Sequence, residues 1–180
     1  MDDSIRIAIS GKSGCGNTTV SKIVADNLGL QFINYTFRSL ADEMKLDFKK
    51  VLELAEKDDS FDIRVDETQV KMAMESSGCV LGSRLAIWML KEANLKVYLY
   101  ADPAVRAGRI IKREGERLES AADFTAKRDK RDHERYLRIY KIDNDDYQFA
   151  DMIINTESLS PVQIGDLIVS RVRELKNGNC

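Results

Sequence analysis

The chain has few of the residues that staple or metallate small folds. Its three cysteines, Cys15, Cys79 and Cys180, are odd in number and form no C-x-x-C pair, which argues against a disulfide framework and against a zinc site. Its single histidine, His133, stands between Asp132 and Glu134 in a charged stretch, with no second histidine to help seat a metal. No apolar run approaches the ~18 residues of a membrane span, and the N-terminus carries no charged-then-apolar signal. A cytoplasmic protein without a membrane partner is therefore expected. An excess of one charge is missing too: 28 basic against 30 acidic residues leave a net charge of −2. That gives no global electrostatic case for nucleic acid, so any cationic function must be local. No internal repeat or low-complexity linker interrupts the 180 residues. Such a length suits one domain that can bury about 70% of its unfolded surface.

One further absence lies inside a motif. A short apolar run, Ile5–Ile9, is followed by Gly11-Lys12-Ser13-Gly14-Cys15-Gly16-Asn17-Thr18-Thr19 and then by an amphipathic stretch to Leu28. Strand, glycine-rich turn and helix in this order fit G-x-x-x-x-G-K-[ST], the loop whose backbone N–H groups wrap nucleotide phosphates, except that Asn17 stands in place of the lysine. Gly11, Gly14 and Gly16 are expected to supply positive φ and close approach to a phosphate. The helix start presents unpaired N–H groups and the positive end of its dipole to that anion. Thr18 carries a hydroxyl where such loops hold Mg²⁺. Losing one preorganised donor typically slows an enzyme by about 10²–10³. Two compensations are available, Lys12 swinging toward the phosphates or arginines brought from elsewhere; the alternative for Lys12 is to point into water.

Short apolar strands are expected at Ile5–Ile9, Gln31–Asn34, Cys79–Gly82, Leu95–Tyr100 and Met152–Asn155. Helical patterns fill Thr18–Leu28, Arg38–Met44, Lys49–Lys57, Ile63–Ser76, Pro103–Glu114, Ala121–Tyr140 and Pro161–Lys176, with a short helix packed by Trp88. This alternation implies a three-layer α/β/α fold around a five-stranded parallel sheet. Two polar segments, about 35–76 and 113–147, interrupt the rhythm where insertions close over ligands. Arg38, Arg84, Arg106, Arg109 and Arg113 all follow strand ends, and Arg128, Asp132 and Arg135 share one helix face. Alone, that last run reads as a solvated charged face; beside a phosphate loop it fits the cationic positioning that phosphoryl transfer needs.

From Ile5 to about Lys176 the chain resembles a P-loop nucleoside monophosphate kinase, most closely a cytidylate kinase of the short form found mainly in archaea. The resemblance rests on the Gly11–Thr19 loop with Thr-Thr-Val, Phe37-Arg38-Ser39-Leu40-Ala41, Asp66-Glu67-Thr68-Gln69, Val80-Leu81-Gly82-Ser83-Arg84-Leu85 with Trp88, Lys112-Arg113-Glu114-Gly115, Arg135-Tyr136 with Ile139-Tyr140, and Ile153-Ile154-Asn155-Thr156. It implies a single kinase domain over residues 1–180 with a helical acceptor-binding insert (about 35–76) and a helical lid (about 113–147). It also implies transfer of the ATP γ-phosphoryl to CMP or dCMP with Mg²⁺, by a monomer. By position, Gly11 to Thr19 resemble the ATP-binding loop; on the reading of the residues themselves, Lys12 is the candidate catalytic cation and Thr18 the candidate metal ligand. Arg109, Arg113 and Thr156 resemble residues of the ATP side. Arg38 and Arg84 resemble acceptor-phosphate ligands, while Arg64 and Asp66 are candidate acceptor-binding residues from the chemistry of the insert helix alone. Arg128 and Arg135 resemble catalytic lid arginines that also meet the acceptor, and Asp132 resembles a ribose-holding carboxylate.

The short form generally carries threonine rather than lysine at the place of Asn17, so the loop is lysine-free by type. Lys12 departs from the small residue or proline usual there, and Gly82-Ser83-Arg84 replaces Glu-Gly-Arg. The Gly82-Ser83-Arg84 change, together with an Asn34-Tyr35-Thr36 segment that is shorter than its family counterpart and lacks its Asp before the helix, bears on the acceptor more than on the reaction. A cytosine pocket needs an acceptor for the 4-amino group and a donor nearby. Asp62, Arg64, Asp66 and Gln69 offer both on one helix, although Asp62 and Gln69 equally fit an exposed face. Another small acceptor, or nucleotide binding without transfer, stays open on sequence grounds.

Overall fold

The computed structural model describes residues 5–114 and 118–177. In chain order the elements are β1 Arg6–Ser10, α1 Asn17–Leu28, β2 Gln31–Ile33, α2 Phe37–Met44, α3 Phe48–Ala55, α4 Ser60–Glu75, β3 Cys79–Gly82, α5 Ala86–Met89, β4 Leu95–Tyr100, α6 Pro103–Glu114, α7 Leu118–Tyr140, β5 Met152–Asn155 and α8 Pro161–Asn177. The five strands form one parallel sheet in the order β2-β3-β1-β4-β5. Ile7 of the central β1 pairs with Val80 on one side and with Leu95 on the other. The chain fills one flank of β1 and then the other, so the direction switches beside β1, where parallel sheets open a crevice at their carboxyl edge. Gly115 and the 115–117 part of the expected lid lie outside the described residues, as does Cys180.

The period-two alternation of the strands sends successive side chains to opposite faces. Ile7, Ile9, Val97 and Leu99 pack under Val20 and Val24 of α1 and Ile164, Ile168 and Val172 of α8. Ala8, Leu81 and Tyr98 face the other way, against Ala86 and Ile87 of the short α5. Trp88 meets Tyr98 edge to face, and the Tyr98 ring stacks on Tyr147 with centroids 3.9 Å apart. This stack anchors the segment between α7 and β5. Leu40, Ala41, Val51 and Val65 form a third cluster with Phe37, Phe48 and Phe61, so α2, α3 and α4 carry a small core of their own.

Boundaries follow local chemistry. Thr36 caps α2 through a reciprocal pair with Ser39. Asp58 accepts the Ser60 N–H at 2.9 Å, which starts α4 three residues before the expected Ile63. Gly29, at φ 65°, ends α1. Gly82 also has a spatial reason: a Cβ there would lie 2.5 Å from Ser21 Oγ and 3.2 Å from the Phe32 ring. A glutamate at this place has no room while Ser21 and Phe32 fill it. Among the described residues no helix is long and apolar enough to cross a membrane.

Candidate active site

The loop after β1 turns into α1 through three glycines that are needed for different reasons. Gly14 and Gly16 adopt φ of 87° and 96°, the left-handed region that L side chains avoid. Gly11 does not, contrary to the expectation for all three; a Cβ there would sit 2.4 Å from the Leu99 carbonyl oxygen, so it is required for close packing on β4. Asn17 donates from Nδ2 to the Gly11 carbonyl at 2.7 Å and ties the two ends of the loop together. Cys15 faces inward: its side chain joins the core and its N–H closes on the Lys12 carbonyl at 3.1 Å. Burial pushes its thiol above the ordinary value. Of the nine loop residues expected to hold nucleotide, Cys15 is thus absent from the cleft wall, whereas Gly11, Lys12, Ser13, Gly14, Gly16, Asn17, Thr18 and Thr19 line it.

That cleft has a volume of about 760 Å³ and runs from the loop to the α2–α4 segment and α7. Its wall carries Lys12, Arg38, Arg84, Arg113, Arg128, Arg131 and Arg135 against only Asp62, Asp66 and Asp132. A strongly cationic cavity in a protein of net charge −2 selects polyanions locally. Four elements are knitted across it. Arg84 donates to Ser13 Oγ at 2.9 Å and to Asp132 Oδ2 at 2.7 Å, and Arg135 reaches Asp132 Oδ1 at 3.0 Å. The Arg135 Nε also lies 3.2 Å from Asp62 Oδ1, close enough for an ion pair but not aligned as a hydrogen bond. Asp132 is therefore buried and held by two guanidiniums. Arg38 sits on the cleft wall with its guanidinium 4.4 Å from the Phe48 ring centroid, a cation–π contact that fixes its approach.

Several sequence expectations land elsewhere. Arg64 is exposed and pairs with Glu43 at 2.5 Å, which Tyr35 also contacts; it does not line the cleft. Arg109 and Thr156 meet each other but stand behind the loop: Arg109 donates to the Gly14 carbonyl at 3.2 Å, to Thr156 Oγ1 at 2.8 Å and to the Thr156 carbonyl at 2.6 Å. Lys12 neither points into water nor reaches inward; its Nζ lies 2.5 Å from Asp145 Oδ1, in the segment after α7. His133 Nδ1, 2.8 Å from Asn144 Oδ1 and 3.5 Å from Asp145 Oδ2, joins the same tie.

Sequence reasoning missed Arg131 and Phe124, which line the cleft, whereas Arg106, grouped with the other strand-end arginines, does not line it and has a bracing partner that was not foreseen. Arg106 is buried, donates to the Ser13 carbonyl at 3.1 Å and grips Asp129 of α7 at 2.6 Å. No sequence spacing connects residues 106 and 129. Asp62 and Gln69, read as equally suited to an exposed face, are buried in the cleft wall. Their i, i+7 spacing with Asp66 between them was the available signal. Burial pushes the Asp66 carboxyl up to about 6 although Tyr140 donates to it at 2.7 Å.

Residues 6–158 match the cytidylate kinase-like family. The chain belongs to that family. Cytidylate kinase 2 of Borrelia garinii subsp. bavariensis is 43% identical over 179 residues, covering 96% of this chain and 100% of the relative. Cytidylate kinase of Archaeoglobus fulgidus is 38% identical over 174 residues, covering 96% of this chain and 97% of the relative. In fold the chain also overlays shikimate kinase from Acinetobacter baumannii with a TM-score of 0.65 at 16% identity, covering 97% and 96% of the two chains. Membership and fold together make this family member a P-loop nucleoside monophosphate kinase, a transferase.

Proposed function

We propose that this kinase transfers the γ-phosphoryl group of ATP to CMP and dCMP, giving CDP and dCDP, by direct in-line displacement. The observation that carries the reading is the cationic cleft joining a phosphate-wrapping loop to a three-helix segment, in a chain whose relatives are named cytidylate kinases. Within a single domain, α2–α4 act as the acceptor insert (about 35–76) and the segment of about 113–147 as the lid. ATP lies with its phosphates on the loop from Gly11 to Thr19. Arg38 and Arg84 hold the acceptor phosphate from the insert and the β3 end, while Arg128 and Arg135 bring charge from the lid to the migrating group. Arg113 reaches the ATP side from the end of α6. Arg109 and Thr156 shape the nucleotide side from behind Gly14, and Asp132 orients Arg84 and Arg135 and faces the ribose.

Thr18 offers the hydroxyl that suits Mg²⁺: it lines the cleft at the start of α1, and Asn34 Nδ2 at 3.4 Å leaves its oxygen a lone pair for a hard cation. An Mg²⁺ held there would supply charge neutralisation to the transferring phosphates. Lys12 serves as the tie between the loop and the 141–151 segment, and the charge missing at Asn17 comes from the arginines. The test is chromatographic detection of CDP from CMP and ATP, with Mg²⁺ and again with excess chelator. The reading expects CDP only with Mg²⁺. No CDP under either condition would overturn it.

A further inference from the structure

On the α4 side of the cleft wall, two buried acceptors have no donor among the described residues. Asp62 is 4% exposed and Gln69 is 3% exposed, both line the cleft, and Asp62 Oδ2 and Gln69 Oε1 accept no hydrogen bond. They sit about one turn either side of Asp66 on α4. Their neighbours fix which atoms are left open. Arg135 faces the other oxygen of Asp62, Gln69 Nε2 donates to Asp66 Oδ1 at 3.4 Å, and Tyr140 donates to Asp66 Oδ2. Asp66 is thus satisfied on both oxygens, and the open acceptors belong to Asp62 and Gln69. A buried acceptor left unpaired costs about 1–3 kcal/mol, so such atoms persist where a ligand completes them. Burial also pushes the Asp62 carboxyl up, against the pull of Arg135.

We infer that Asp62 and Gln69 read the exocyclic amino group of the acceptor base and reject a base that carries a carbonyl there. This rests on the kinase reading above and assigns the base discrimination that reading leaves open. A 4-amino pyrimidine presents two N–H donors to the open oxygens. A 4-oxo pyrimidine presents lone pairs instead, leaving both acceptors buried and opposed by a third. Sites built to hydrogen-bond one group reject the analogue lacking it far better than apolar pockets discriminate by size. Asp62 and Gln69 are thus specificity residues of the acceptor site, apart from the phosphate arginines.

The test compares kcat/KM for CMP and UMP in wild type, Asp62→Asn and Gln69→Leu, with calorimetric titration of both nucleotides as a readout that needs no turnover. Wild type should prefer CMP, and each variant should narrow the CMP:UMP ratio by about tenfold or more, through KM for CMP, with KM for ATP unchanged. A merely structural role would lower both substrates equally and leave the ratio intact, which would overturn the inference while CMP turnover upheld the kinase reading. Conversely, a CMP binding preference that narrows in the variants, with no turnover in wild type, would sustain the inference and sink the kinase reading. Should Asp62→Asn fail to fold, judged by circular dichroism, Gln69→Leu decides alone.

Discussion

Asn17 closes the mouth of the phosphate loop by holding the Gly11 carbonyl, a bracing job that leaves the cationic job to other residues. Lys12, the one lysine in the loop, is held by Asp145. Lys12→Ala and Asp145→Asn should therefore lower turnover in parallel and by less than about tenfold, as loss of a partly exposed tie would. A drop of about 10²–10³ in Lys12→Ala alone, the size expected for a lost transition-state cation, would reassign the charge to Lys12. Arg38→Ala and Arg128→Ala should each cost about 10²–10³ in turnover with unchanged far-UV circular dichroism. Near wild-type kinetics in both would refute the placement of these arginines at the phosphates. Residue types at the site were legible because strand ends and helix faces follow from periodicity. Burial was not, since whether Asp62 meets water depends on where α7 lies, and no local pattern encodes that.

At the scale of elements, α6 braces the loop that the missing lysine would otherwise have spanned. Arg106 and Arg109, one turn apart, take the carbonyls of Ser13 and Gly14, and Arg106 carries the contact on to Asp129 of α7. Arg106→Met leaves Asp129 without its close cation in a mostly buried setting, and should cost about 3–5 kcal/mol of stability in urea titration. A loss below about 1 kcal/mol would mean the pair is dispensable to the brace. The end of β3 gives a second element-scale prediction. Gly82→Ala should destabilise by about 1–3 kcal/mol through the clash with Ser21, and Ser21→Gly in the same chain should recover most of it. Additive losses would put the cause elsewhere. The sheet was legible nearly to the residue because its strands are short, apolar and bounded by turns. The start of α4 was not, because Asp58 and Asp59 form a capping turn ahead of the apolar pattern.

For the whole molecule, the cleft concentrates cations that the sequence total hides, and it also holds a titrating group. Asp66 is pushed by burial from 3.8 up to about 6, so the folded protein binds its proton more tightly than the unfolded chain does. Its favourable contribution is complete below about pH 4 and is lost as pH rises through about 6. Asp66→Asn should accordingly gain stability relative to wild type between pH 4 and pH 7, by about 3 kcal/mol at most. A difference independent of pH would show that Asp66 titrates normally. Family and fold were readable from several motifs in one order, whereas the identity of the base was not. On the inference above it depends on two acceptors of α4, whose burial is set by where α7 packs. The most direct test of the account is ADP release by the whole protein with Mg²⁺-ATP against CMP, dCMP, UMP, AMP and GMP in parallel. The account predicts turnover confined to CMP and dCMP; release with a different monophosphate, or with none of the five, would contradict it.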